Sequence, residues 1–139
     1  MRIVLNTKEP NAVASYAYIN ALKSIHNLKL NDFENYDRYD VAMFLTYQND
    51  LKEIKRLRLI NDNILIGIID PRGSEVDGIL NCLDFLIIDS IEMKDFFSKY
   101  QLPIFTYYEY PMLFSSKKYK TDNKKTIIGY HGNKLHLIG

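Results

Sequence analysis

One cysteine, Cys82, cannot form an intrachain disulfide, and no Cys/His cluster has the spacing of a zinc site. A reducing compartment and a fold without structural metal are expected. No apolar run approaches the roughly 18 to 20 residues that span a bilayer. The opening Met1-Arg2-Ile3-Val4-Leu5 turns polar before a signal-type apolar region can form. The chain is therefore expected in the cytoplasm. Neither sign of charge dominates: 18 Lys and Arg against 17 Asp and Glu leave a formal +1, which argues against duplex nucleic acid as a partner.

What is present suits one domain with a core: 139 residues, 47% hydrophobic and 25% charged. Short apolar runs alternate with helical patterns. Ile3–Leu5 reads as a first strand. Asn11–His26 reads as a helix, with Val13, Ala17, Leu22 and Ile25 near one face. Strands are expected at Leu28–Leu30, at the doubly covered run Val41–Leu45, and at Ile64–Ile69, Asp84–Ile88 and Ile104–Tyr107. Between them lie a helix over Asp50–Ile60, with Asp50 and Glu53 as a capping box, and one capped by Asp89 and Glu92 that runs to Tyr100. Phe96, Phe97 and Tyr100 are assigned to the buried face of the latter.

Strict alternation of this kind predicts an α/β fold, a doubly wound Rossmann-like parallel sheet with binding sites at the carboxyl ends of its strands. With a strand order of 3-2-1-4-5-6, the loops meeting at the switch point are Asn6–Pro10 and Asp70–Ser74. A dinucleotide site needs a Gly-rich turn after the first strand, but Asn6-Thr7-Lys8-Glu9-Pro10 has no glycine. No P-loop occurs, and Asn6 and Thr7 stand where a receiver domain would place acidic residues. No cofactor is expected.

Residues 114–125 are polar and lysine-rich (FSSKKYKTDNKK), the composition of a linker. Beyond them Thr126–Tyr130 reads as another strand, opening into a turn at Gly132 and Asn133. The expected organisation is a domain over 1–113, a linker over 114–125, and the start of a second domain over 126–139. The run TIIGYHGNKLHL (Thr126–Leu137) resembles the opening of the donor domain in bacterial GT-B glycosyltransferases of the family-four, group-one type. DFLIIDS (Asp84–Ser90), the helix carrying Asp95-Phe96-Phe97, and YYEYP (Tyr107–Pro111) resemble the end of that family's first domain.

The resemblance implies a GT-B N-terminal domain that holds a glycan or lipid-linked acceptor, with the nucleotide-sugar donor bound by a C-terminal domain mostly missing here. It implies no metal and no activity for this chain alone. The alternative is a non-catalytic Rossmann-like binding or interaction module. Thr7 and Lys8, past the first strand, suit a sugar hydroxyl or an anionic acceptor group, or form an ordinary polar loop. Arg72 suits a bidentate contact to phosphate or carboxylate, or an ion pair with Asp70 or Glu75. Asp70 and Glu9 are the carboxylates available at the switch point. The catalytic base is not marked by a motif.

Ser90 sits where a hydroxyl and helix N–H groups meet an anion, or where it simply caps the helix. Tyr108 and Glu109, with Tyr107 and Tyr110, suit sugar stacking or interdomain packing. His131, Asn133 and Lys134 are, by the resemblance, near the donor diphosphate. Lys52, Lys55, Arg56 and Arg58 make the Asp50–Ile60 helix basic, either as a solvated face or as a peripheral contact with anionic lipid at the inner membrane face. The orphan strand Thr126–Tyr130 offers a homodimer contact.

Overall fold

The computed structural model describes residues 1–8, 10–11, 13–22, 28–45, 51–72 and 76–107. Glu9, His26, Asp50, Ser74, Glu75, Tyr108, Glu109, the linker, and the tail with His131, Asn133 and Lys134 lie outside the described residues. In chain order the elements are β1 (Ile3–Asn6), α1 (Val13–Leu22), β2 (Leu28–Leu30), β3 (Val41–Leu45), α2 (Leu51–Ile60), β4 (Leu65–Ile69), β5 (Phe85–Ile88), α3 (Ile91–Phe97) and β6 (Ile104–Thr106). The six strands form one sheet, and every pairing is parallel. This is the α/β Rossmann-like arrangement expected of the alternation.

The order is β2-β1-β3-β4-β5-β6, which corrects the expected 3-2-1-4-5-6. Burial explains the difference. All five residues of β3 are buried, so it takes an interior place, with Ile3–Asn6 of β1 opposite Val41–Phe44 and Leu65–Ile69 of β4 on its other side. The three residues of β2 are half-buried or exposed, and that suits an edge.

Period-two alternation divides the core into two layers. On one face Val4, Ala42, Phe44, Ile66, Ile68, Leu86 and Ile88 pack against Ile54 and Leu57 of α2 and Phe97 of α3. On the other, Tyr18 and Ile19 of α1 cover Ile3, Leu5, Val41, Met43, Leu45 and Ile69. α2 turns Ile54 and Leu57, three residues apart, inward, and leaves Leu59 88% exposed.

Arg58 fastens α2 to the sheet. Its guanidinium donates to the carbonyls of Asp62 (3.1 Å), Ile64 (2.9 Å) and Cys82 (2.8 Å), and pairs with the Asp84 carboxylate. Asp84 in turn accepts the Ile66 N–H at 2.7 Å, so one ion pair joins α2, β4 and the approach to β5.

The cap of α3 is Ser90, the capping role named for it, and not the Asp89 expected as a capping box. Ser90, in extended conformation, accepts the Met93 N–H, in place of an Asp89–Glu92 box. The Glu92 carboxyl stays below its ordinary range because its own backbone N–H and the Ser90 hydroxyl donate to it. Phe96 is exposed, against expectation. Adjacent helical residues diverge by about 100°, so with Phe97 fully buried Phe96 turns outward, where Lys99 Nζ sits 4.6 Å from its ring centre.

Candidate functional site

β1 lies between β2 and β3, so the chain leaves the carboxyl ends of β1 and β3 in opposite directions and opens a crevice between them. This is the switch point. The loop beginning at Asp70, expected to meet β1 there, instead follows β4, one strand further on.

Three polar side chains are buried among the described residues: Asn6 (2% exposed), Thr7 (3%) and Ser15 (0%). All three come from the carboxyl end of β1 and the first turn of α1, the helix that β1 feeds. Thr7 Oγ1 and Ser15 Oγ share a hydrogen bond at 3.0 Å. The Thr7 N–H donates to Asn31 Oδ1 at 2.7 Å, while the Asn31 N–H extends the β1–β2 ladder to the Leu5 carbonyl at 3.0 Å. Asn31 has φ 53°, a left-handed conformation that asparagine tolerates better than most residues. The ends of β1, β2 and α1 are thus tied by one polar network.

Asn6 stands apart within it. Its Nδ2 donates to the Met43 carbonyl of the neighbouring strand β3 at 3.4 Å, a long bond, and its Oδ1 is buried without a hydrogen-bond partner. Enclosing an amide oxygen in this way costs about 1–3 kcal/mol. Sequence reading passed over Asn6, Ser15 and Asn31. The available signal was Asn6 itself, the one polar residue closing the otherwise apolar strand Ile3–Asn6.

The expected residues are placed as follows. Thr7 is buried in the network and Lys8 is exposed just beyond it. Arg72 pairs with Asp70 at 3.0 Å, the ion-pair alternative named for it. Asp70 has φ 53° and donates its N–H to the Ile87 carbonyl. Burial pushes its carboxyl above the ordinary range, with Asp89 adding to the shift and Arg72 opposing it. Ser90 caps α3. Tyr107 packs its ring on Tyr18 at 5.6 Å, within its own domain. The structure brings Asp70 and Arg72 together, and separately Thr7 with the polar network.

A depression of about 590 Å³ lies at the opposite end of the sheet, lined by Arg2, Asp37, Tyr39, Asp40, Asn61, Asn63 and Leu65. Asp40 there is already bound to the Arg2 backbone N–H (2.6 Å) and guanidinium, and the carboxyl-end crevice is the better candidate. Tyr36 also buries an unpartnered hydroxyl, but it sits beneath α2 with Arg56 5.7 Å from its ring, as a packing residue. On α2, Arg56 pairs with Glu53 and donates to the Phe33 carbonyl, and Arg58 is held as described, so both arginines of this basic helix bind the protein itself.

Among the described residues no group of three or more His, Cys, Asp or Glu could hold a metal, and no helix is long and apolar enough to cross a membrane. No protein-family model, curated protein or solved structure matches this chain.

Proposed function

We propose that this domain is the acceptor-side half of a GT-B glycosyltransferase, holding a glycan or lipid-linked acceptor while a second domain presents a nucleotide-sugar. One observation carries the reading: the buried polar residues gather at the switch point, where Asn6 keeps an unpaired amide oxygen. A sugar hydroxyl supplies the donor that Asn6 lacks. The reaction joins an acceptor oxygen to the anomeric carbon, releases the nucleoside diphosphate and passes the hydroxyl proton to a base. Asp70, whose carboxyl is made more basic by burial, is the described carboxylate at this edge suited to that role. Its strand lies two places from β1, about 10 Å away, a span that a hexose ring with a hydrogen bond at each side bridges.

The competing reading, a non-catalytic binding module, draws on the pairing of Thr7 with Ser15 and of Asp70 with Arg72 inside the domain. Titration of the ¹⁵N-labelled chain with mono- and disaccharides and with UDP separates the two. The proposal predicts saccharide-dependent shifts at Asn6, Thr7 and Asp70, none with UDP alone, and no sugar transfer by this chain. Transfer by the chain alone, or saccharides that leave these residues unmoved, would count against it.

A further inference from the structure

Positive charge is concentrated on α2. Its 10 residues carry Lys52, Lys55, Arg56 and Arg58 against Glu53, a formal +3 in a chain of formal +1, so the rest of the chain is net negative. Counted from Leu59 at about 100° per residue, Lys52 lies about 20° away, Lys55 about 40° and Arg56 about 60°. Ile54 and Leu57, which face the core, lie about 140–160° away. Leu59, 88% exposed, thus stands in the middle of the outward face, and the three cations around it are exposed as well.

The apolar surface extends beyond this one side chain. Ile60 is 49% exposed and Phe33 40%. Ile60 follows Arg56 by four residues and shares its side of the helix, and Arg56 donates to the Phe33 carbonyl at 3.0 Å, which brings Phe33 to that side too. Glu53 is paired with Arg56 and lies about 120° from Leu59. From below the helix is held by the buried Ile54 and Leu57 and by the Arg58 bonds to the Ile64 and Cys82 carbonyls, so it cannot roll to hide Leu59.

We propose that this outward face of α2 is a peripheral docking surface for an anionic lipid membrane. Lysines around an exposed leucine match the boundary between headgroups and acyl chains, where lipid phosphates meet the cations and the leucine leaves water. A soluble polyanion rewards the cations alone and leaves Leu59 in water. Each cation close to an anionic leaflet is worth about fivefold in binding, and the helix offers only three of them with one leucine, so the contact is reversible. It does not depend on what the carboxyl-end crevice binds.

Co-sedimentation of the full chain with vesicles tests this, using mixed phosphatidylglycerol and phosphatidylcholine beside phosphatidylcholine alone. The chain should bind the mixed vesicles, more weakly as salt is raised, and bind the neutral ones far less. Lys52→Gln with Lys55→Gln should weaken binding by about twentyfold. Leu59→Ser, which leaves every charge in place, should weaken it by about tenfold. Both changes lie on the outward face, and circular dichroism checks that each variant folds. Absent binding, or equal binding to both kinds of vesicle, overturns the proposal. So does binding that survives the lysine substitutions, which would assign it to the lysine-rich stretch 114–125. Loss on the lysine substitutions with none on Leu59→Ser also overturns it, in favour of a soluble polyanion.

Discussion

Replacing Arg58 with alanine removes the fork that joins α2 to the sheet. Three carbonyls lose a charged donor and the Asp84 carboxylate loses its cation. The side chain is 23% exposed, so water replaces part of what is lost. The Asp84 pair itself counts for at most about 1 kcal/mol. The carbonyls of Ile64 and Cys82 carry the remainder, at about 1–2 kcal/mol each when left without a donor. The expected loss is about 2–4 kcal/mol, a large share of the roughly 5–15 kcal/mol that holds a domain of this size together. Urea unfolding followed by circular dichroism reads it directly, and the melting temperature should fall by about 10 °C. Arg58→Lys should recover less than half, because an ammonium cannot at once span the Asp62 and Ile64 carbonyls ahead of β4 and the Cys82 and Asp84 acceptors ahead of β5. A change below about 0.5 kcal/mol on Arg58→Ala would mean that Arg58 does not fasten α2 and belongs to the solvated basic face.

Asp70 carries a pH signature. Its folded pKa lies above its unfolded value, so its contribution favours folding below the unfolded pKa and is lost as pH rises through the folded one. Asp70→Asn should therefore match the natural protein in acid and become the more stable of the two towards neutral pH, since asparagine also accepts φ 53°; a difference that shrinks as pH rises contradicts this. Ser90→Ala should cost about 0.5–1 kcal/mol, at the low end because the cap bond is 3.4 Å long, with Ser90→Asp close to neutral in the same unfolding assay. Leu57→Ala should cost about 2–5 kcal/mol and Leu59→Ala under about 0.5 kcal/mol, and equal losses would mean α2 is rotated from the orientation described.

The strands were legible because residues such as Val41–Leu45 and Ile66–Ile69 are buried on both faces, and burial of that kind leaves an unbroken apolar run. Their order was not. It turns on β2, whose three residues read as a strand whether central or at an edge, and only its pairing with β1 alone settles the matter. The α3 cap was legible only as a choice between Asp89 and Ser90, because both are good caps and backbone conformation, not side-chain type, selects Ser90. The polar loop after β1 was legible as a site from its place just past the first strand, but not that the Thr7 hydroxyl is buried against Ser15. Asn6 was missed because its importance lies in an unmade hydrogen bond, which depends on the Met43 carbonyl 37 residues away.

Asn6→Leu separates a binding role for Asn6 from a structural one. Leucine replaces the amide with an apolar group of similar size and removes a buried acceptor that has no partner. If Asn6 is kept for binding, the variant should unfold at the same or higher urea concentration, while the saccharide-induced shifts at Thr7 and Asp70 disappear. If the variant instead loses about 2 kcal/mol or more and still shows those shifts, Asn6 is a structural residue and the switch-point crevice is not the acceptor site.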